Sequence, residues 1–252
     1  MTIRPILFSA PMVLALLAGR KTMTRRVLKP QPETSSDGMI RFKESGWFAA
    51  SVYSAAMQCA GLKPPFVPGD LLWVRETWQS GTTIDGPQLS YRATPDYFPI
   101  DAWTGPDEGA GHSFDYKRCP SANFSHWLDD IISNDGPWCS PIHMPRWASR
   151  LTLEVTGVKV ERLQEISDED IYLEGAIPDK WIEWRDDASS IGLPEGSHIE
   201  DERDVFARLW NSLNGPTAWD ANPWDANPWV AAISFKVHRG NVKDVARELE
   251  AA

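Results

Sequence analysis

The chain has 252 residues, a formal net charge of −10 and a pI near 5.0, with 42% hydrophobic and 24% charged residues. This composition is typical of a soluble globular protein, and its acidity argues against a protein that coats nucleic acid with its whole surface. The apolar run around residues 11–18 is too short to cross a bilayer, and Pro5 and Pro11 interrupt the N-terminal stretch that resembles a signal peptide. We therefore expect a cytoplasmic protein without a membrane span.

The N-terminal segment predicts a strand, a short helix and a basic loop. The stretch "IRPILFS" is typical of a strand, and "SAPMVLALLAG" predicts a helix that is capped by Ser9 and ends at Gly19. Five cations then follow within ten residues, namely Arg20, Lys21, Arg25, Arg26 and Lys29, and prolines at 30 and 32 prevent a long helix. Such a basic loop in an acidic protein predicts a local site for a nucleotide or a short nucleic-acid segment.

The middle of the chain predicts further strands. "PGDLLWVRETW" contains a Pro-Gly-Asp turn followed by a compact apolar strand, and "QLSYRAT" is expected to pair with that strand. "SRLTLEVTGVKVERL" alternates apolar and polar residues on both sides of Thr156-Gly157, which predicts a hairpin that turns there.

The C-terminal third predicts two helices and a last strand. "SDEDIYLEGA" indicates a short helix capped by Ser167 and ended by Gly175. "DERDVFARLWNSLNG" places four apolar residues on one helical face, and "NPWVAAISFKVHR" predicts the final strand. That face consists of Val205, Phe206, Leu209 and Leu213. The tandem "WDANPWDANPW" is interpreted as a local duplication that lengthens the loop before this strand.

Strands dominate this pattern, which favours one domain over residues 1–252, built as a small mixed β-barrel with short helices. Loop-rich insertions are predicted at about residues 33–63, 95–142 and 179–203. The three cysteines lack CxxC spacing and are expected to be free thiols, and the sequence predicts neither a metal site nor a cofactor.

The basic segment contains a lysine and a threonine with catalytic potential. Lys21 and Thr24 are three residues apart, so the amine reaches the hydroxyl if the segment turns. A pKa lowered by neighbouring cations such as Arg20 and Arg25 would let the amine accept the threonine proton. A solvated basic loop explains the same residues without catalysis.

Glu76 is the candidate acid, because it follows an apolar strand and lies between Trp73 and Trp78 in the sequence, where a raised pKa would suit general acid catalysis. A salt-bridged structural glutamate is the alternative. Both tryptophans are candidate stacking surfaces for a base, although core packing is the more usual role of a tryptophan.

The remaining arginines, Arg20, Arg25 and Arg26, are candidates for phosphate contact, since a guanidinium fork matches phosphate geometry. One of them could instead pair with an acidic residue of the same fold.

"GRKTMTRR" after a strand and short helix, followed some fifty residues later by "GDLLWVRE", resembles the ASCH domain family, whose relatives include the PUA RNA-binding barrel. Residues 3–30, 66–93, 143–176 and 203–238 carry the likeness, and the longer blocks "HMPRWASRLTLEVTGVKVERL" and "NPWVAAISFKV" look like those of phage and prophage members. The resemblance implies a barrel with a cleft for a nucleotide or nucleic acid beside the basic loop.

In the small bacterial ASCH proteins that hydrolyse N4-acetylcytidine, the catalytic residues are a lysine and a threonine of this loop and a glutamate after the Gly-Asp turn. The resemblance therefore assigns the catalytic roles to Lys21, Thr24 and Glu76. This chain is far longer, and its insertions put the substrate in question. The hypotheses are an amidohydrolase of a modified cytidine, a non-catalytic module that binds RNA, DNA or a modified base, and a phage assembly or regulatory scaffold.

Overall fold

A computed structural model describes residues 1–43, 46–100, 103–104, 113–114, 117, 119–177, 201–214 and 223–251. Its helices are α1 (Ala10–Leu17), α2 (Tyr53–Cys59), α3 (Leu128–Ser133), α4 (Asp168–Leu173), α5 (Glu202–Asn214) and α6 (Val242–Ala251). Its strands are β1 (Ile3–Leu7), β2 (Met23–Val27), β3 (Glu33–Thr34), β4 (Ile40–Arg41), β5 (Leu71–Arg75), β6 (Trp78–Thr83), β7 (Gly86–Tyr91), β8 (Thr94–Pro99), β9 (Trp103–Thr104), β10 (Ser113–Phe114), β11 (Leu151–Arg162) and β12 (Trp229–Arg239). The predicted combination of sheets and short helices is confirmed.

The chain divides into two compact units. The first unit comprises Met1–Leu17, Asp70–Glu154 and Val237–Ala252, and the second comprises Ala18–Gly69 and Val155–Lys236. Two of the four boundaries along the chain fall inside strands, one in β11 and one in β12.

The first unit contains a sheet segment in the strand order β1–β5–β11. β1 runs parallel to β5, with Ile3 opposite Leu71, and β5 runs antiparallel to β11, with Trp73 opposite Thr152. Leu71 to Val74 are all buried, as expected for a strand covered on both faces. The C-terminal helix α6, which the sequence pattern did not predict, buries Val242 and Ala246 against Leu71 and Trp73.

A second, antiparallel sheet of the first unit has the order β6–β7–β8. The two residues Ile84 and Asp85 close the β6–β7 hairpin, in which Trp78 faces Tyr91. The expected pairing of "QLSYRAT" with β5 is therefore wrong: this segment is β7, and it pairs with its neighbours along the chain because the two-residue turn brings β6 beside it.

The second unit contains the strand order β11–β12–β2. β12 runs antiparallel to β2, with Ile233 opposite Thr24. The basic segment was predicted as a loop, but residues 23–27 form this strand, since Thr24 and Val27 suit extended backbone. The predicted hairpin at Thr156-Gly157 is also wrong, because β11 continues unbroken through Gly157, whose backbone lacks the positive φ of a tight hairpin turn and which faces Ser234 of β12.

The helices α4 and α5 of the second unit contribute to an apolar cluster with Leu163, which follows β11, and Val230 of β12. Ser167 accepts a hydrogen bond from the Asp170 amide at 3.2 Å, and Gly175 has a φ of 65°, so both predicted ends of α4 are confirmed. α5 buries Phe206 and Trp210, whereas the expected core residue Leu213 is 43% exposed.

The predicted insertion at about 33–63 contains β3, β4 and α2, and the one at about 95–142 contains short elements such as α3. The insertion at 179–203 and the first "WDANP" copy lie almost wholly outside the described residues. None of the described helices is long and apolar enough to cross a membrane. Cys59, Cys119 and Cys139 are not in disulfide bonds, as predicted.

Candidate functional site

Lys21 lies in the short connection between α1 and β2, which contains Gly19 at a φ of 75°. Its side chain is fully buried, and Nζ donates hydrogen bonds to the main-chain oxygen of Glu174 at 2.7 Å and to Glu174 Oε2 at 2.8 Å. The amide of Thr22 also donates to the Leu173 carbonyl at 2.9 Å. The segment that carries Lys21 is thus bound to the C-terminal end of α4.

Arg25, four residues further along, is surrounded by three carboxylates of the same unit. Its Nε and Nη2 donate to Glu161 Oε1 at 3.1 and 2.6 Å, Nη1 donates to Glu174 Oε1 at 3.3 Å, and Nη2 also donates to Asp170 Oδ2. Lys159 Nζ lies 2.5 Å from the other Glu161 oxygen. All three guanidinium nitrogens of Arg25 therefore have protein partners, which matches the alternative that one arginine of the segment pairs with acidic residues.

Thr24 and Arg26 point to the side of β2 opposite Arg25, because successive strand residues alternate. Thr24 is buried, and its Oγ1 accepts a hydrogen bond from Arg26 Nη1 at 3.1 Å. This contact occupies a lone pair of the hydroxyl and not its proton. Arg20, the third predicted phosphate ligand, is half-buried in the connection before β2.

Several charges act on the amine of Lys21. Burial lowers its pKa, the charge of Glu174 and its hydrogen bond oppose this, and the guanidinium groups of Arg26 and Arg25 lower it further. The net result is a pKa below the usual lysine value of 10.5. Of the two cations expected from the sequence to lower this pKa, Arg20 and Arg25, Arg25 is among the causes, together with Arg26, and burial is the largest cause.

Glu76 belongs to the first unit and directly follows β5. Its side chain is buried, and its carboxylate accepts two parallel hydrogen bonds from Arg150, Nε to Oε1 at 2.9 Å and Nη2 to Oε2 at 2.8 Å. Its amide donates to Met144 Sδ at 3.3 Å. Burial raises the pKa of Glu76 above its usual 4.5, while the hydrogen bonds and charge of Arg150 lower it, and burial has the larger effect.

Arg150 is fixed by the antiparallel sheet of the same unit. Its Nη1 donates to Thr94 Oγ1 at 2.7 Å, and its Cζ lies 4.0 Å from the ring centroid of Tyr91 and 5.0 Å from that of Phe98. The Tyr91 hydroxyl donates to the Ala148 carbonyl at 2.8 Å, and burial together with the charge of Glu76 raises its pKa. The arginine that holds Glu76 thus stacks on aromatic rings and has little freedom to turn away.

Trp73 and Trp78, the candidate stacking surfaces, are both buried. Trp73 packs in the cluster with α6, and the Arg75 guanidinium lies 5.0 Å from its ring. Trp78 packs in a cluster that includes Tyr91 and meets Trp147 edge to face, at 6.0 Å between ring centroids. Core packing, the alternative considered from the sequence, accounts for the position of both rings.

Two functional candidates were missed by sequence reasoning. Glu174 is the second to last residue of the predicted "SDEDIYLEG" helix and gives no pattern that connects it with residues 21–25, which are about 150 positions away. Arg150 precedes a strand that was predicted only from its apolar alternation. A single sequence does not show which charged residues are buried, so neither residue could be identified from it.

Comparisons with models of protein families, with curated proteins and with solved structures find no match for this chain. Within the part of the chain that the structure describes, no group of three or more His, Cys, Asp or Glu side chains could hold a metal ion. The candidate residues belong to different units: the Lys21 amine, whose pKa is lowered, and the Thr24 hydroxyl belong to the second unit, and the Glu76 carboxyl group, whose pKa is raised, belongs to the first.

Proposed function

We propose that the protein is an amidohydrolase that removes an acyl group from N4-acetylcytidine or a related modified cytidine, on an ASCH-type barrel. The observation that carries the proposal is the fully buried Lys21 amine, whose pKa is lowered by burial and by two guanidinium groups. It lies three residues from the buried hydroxyl of Thr24. A lowered pKa favours the neutral form of the amine, and it is the neutral amine that can accept a proton.

The proposed reaction has two steps, in which Thr24 is the nucleophile and Lys21 is the base. Thr24 Oγ1 attacks the acyl carbonyl carbon while Lys21 Nζ takes the hydroxyl proton, and the bond between that carbon and N4 breaks. Water then cleaves the threonine ester, which releases the carboxylic acid and restores the hydroxyl. The products are cytidine and one carboxylic acid.

Glu76 is proposed as the acid that protonates the leaving amine. A general acid has to carry a proton before the reaction, and burial raises the pKa of Glu76 in that direction. Arg150 acts against protonation, so the carboxyl group is held between two opposing influences. This balance is the reason why we expect Glu76 to contribute less than Lys21.

The proposal is tested by incubating the protein with N4-acetylcytidine and with other N4-acylated cytidines, and by measuring cytidine and carboxylic acid by chromatography. We expect equal amounts of both products. Lys159→Met is a matched control for Lys21→Met, because it removes an exposed lysine of the same ion-pair network. Loss of activity in both variants alike would assign the effect to the network and not to the Lys21 amine.

The ion pairs favour a second candidate, a module that binds a modified base, RNA or DNA without chemistry. Lys21 and Glu76 both have buried partners of opposite charge, an arrangement that also suits purely structural residues. Binding of a nucleoside and of its 5′-monophosphate, each titrated at low and high salt, distinguishes the candidates when combined with the product assay. Tight, salt-dependent binding of the monophosphate without turnover would favour the module.

A further inference from the structure

Three oxygens of Glu174 accept hydrogen bonds from two cations of the basic segment, Lys21 and Arg25. Its main-chain oxygen and Oε2 accept hydrogen bonds from Lys21 Nζ, at 2.7 and 2.8 Å, and Oε1 accepts one from Arg25 Nη1 at 3.3 Å. The glutamate side chain is 5% exposed, and the lysine side chain is not exposed at all. Glu174 is not one of the three residues that act in the proposed reaction.

We propose that Glu174 is the positioning residue for Lys21: its two oxygens fix the amine, and its carboxylate takes the proton that the amine gives up before it acts as a base. This inference rests on the proposed function and adds a fourth residue to it.

The position of Glu174 in the fold supports the first half of the proposal. It is the C-cap residue of α4, and its amide is hydrogen-bonded to the Asp170 carbonyl, so its own carbonyl has a fixed direction. Cations are favoured at the C-terminal end of a helix, where main-chain oxygens lack helical partners. One residue thus supplies both a main-chain and a side-chain acceptor to Nζ, and the amine has little freedom to move.

The second half concerns the proton. The N–H bond of the ammonium breaks, an O–H bond forms at Oε2, and a charged pair becomes a neutral amine and a neutral acid without any other reactant. The 2.8 Å distance from Lys21 Nζ to Oε2 lets the proton pass directly between the two groups.

The charged groups that face this pair come from three elements. β2 contributes Arg25 and Arg26, which lower the pKa of the Lys21 ammonium, and Arg25 also pairs with Glu174 Oε1. α4 contributes Asp170, and β11 contributes Glu161 with Lys159, and these carboxylates bind Arg25. Glu174 is the carboxylate among them that also contacts Lys21 Nζ, which is why a change at this position is expected to be specific.

The experiment is an NMR titration of lysine side chains in the full chain, with the Lys21 signal assigned by its loss in Lys21→Met. In Glu174→Gln we expect the pKa of Lys21 to fall by about 1–3 units, since an opposite charge in contact with the amine is removed. The acid limb of the kcat/KM profile should move to lower pH in parallel, and the plateau rate should fall. Glu161→Gln is the matched control, because it removes the same charge from Arg25 without touching Lys21, and its Lys21 pKa should move much less.

Glu174→Asp keeps the charge and withdraws it by one methylene group. We expect this milder variant to fold and to keep the pKa of Lys21 close to the wild-type value. Its kcat should be lower, because the amine is no longer held in place. An unchanged Lys21 pKa in Glu174→Gln, or an equal shift in Glu161→Gln, would overturn the inference. If the wild-type protein hydrolyses no acylated cytidine, the proposed function fails, whereas the titration still decides whether Glu174 controls Lys21.

Discussion

The two regions around Lys21 and Glu76 deal with a buried charge in different ways. Lys21 belongs to a network in which Arg25 binds three carboxylates, and one of these carboxylates also binds the lysine. Glu76 has a single forked partner, Arg150, which is held against the rings of Tyr91 and Phe98. The first region distributes charge over many groups, and the second confines it to one pair.

The difference explains how each pKa is shifted. At Lys21, burial and the charges of Arg26 and Arg25 all favour the neutral amine, and Glu174 opposes them. At Glu76, burial favours the neutral acid and Arg150 opposes it. Both groups move toward their neutral forms, but the lysine has neighbouring charges that assist the shift and the glutamate does not.

Removing the two groups is expected to have the largest effects, and unequal ones. Lys21→Met should lower kcat for N4-acetylcytidine by about 10³–10⁴-fold, and Glu76→Gln by about 10²-fold, because general acid–base groups contribute within this range. The double variant should lose less than the product of the two factors, since both residues serve one reaction. Equal losses of kcat in the two single variants would contradict the proposed difference between the two regions. The measurement is steady-state kinetics on variants shown by circular dichroism to be folded.

The network around Arg25 should dominate the stability of its region. Arg25→Met leaves three carboxylates without their shared cation and should lower the free energy of unfolding by about 3–5 kcal/mol in urea titrations. Arg41→Met, which removes the exposed partner of Glu33, is the control and should cost about 0–1 kcal/mol. A similar small loss in both variants would show that the buried network contributes no more than a surface pair.

The contribution of the Glu76–Arg150 pair to stability should depend on pH through one titrating group, Glu76. A carboxyl group whose pKa is higher in the folded than in the unfolded chain ionises more easily when unfolded, so stability falls as the pH rises above its usual 4.5. Arg150→Met raises the pKa of Glu76 further and should make this fall steeper, with a loss of about 2–4 kcal/mol at neutral pH.

Arg150→Met/Glu76→Gln removes the titrating group and should restore part of that stability and abolish most of the pH dependence. Thermal melts between pH 4 and pH 8 measure both effects. A double variant that is as unstable and as pH-dependent as Arg150→Met would exclude an unpaired Glu76 as the cause.

The smallest effect is expected at the helix that presents Glu174. Ser167→Ala removes the side-chain acceptor from the N-terminus of α4 and should cost about 1 kcal/mol of unfolding free energy. Ser212→Ala, at an exposed serine inside α5, is the control and should be close to neutral. A loss above about 3 kcal/mol at Ser167 would mean that the cap also holds the charged network together.

Local signals in the sequence predicted several elements correctly. The strands β1 and β5 and the helix α4 were found because an apolar run, a turn glycine or a capping serine lies within a few residues of each. The β2 and β11 predictions failed because extended backbone at Arg25 and Gly157 is stabilised by hydrogen bonds to β12, which is distant in sequence.

Part of the candidate site could be predicted for the same reason. Lys21, Thr24 and Glu76 lie in short motifs that can be recognised, whereas the lowered pKa of Lys21 is due first to burial, which the sequence does not show, and then to Arg26 and Arg25, which are near it in the chain. Glu174 and Arg150 could not be found, since they contact their partners across 153 and 74 positions. Only the fold determines which carboxylate meets the lysine and which guanidinium meets the glutamate.

The most direct test of the central claim compares the wild-type protein with Thr24→Val, in which the hydroxyl is replaced by a methyl group of nearly the same size. Release of cytidine and acetate from N4-acetylcytidine is measured for both proteins at equal concentration. The wild type is expected to form the two products in equal amounts, and the variant to form no more than buffer does while still folding. Full activity in Thr24→Val, or no product from the wild type with any N4-acylated cytidine, would contradict the account.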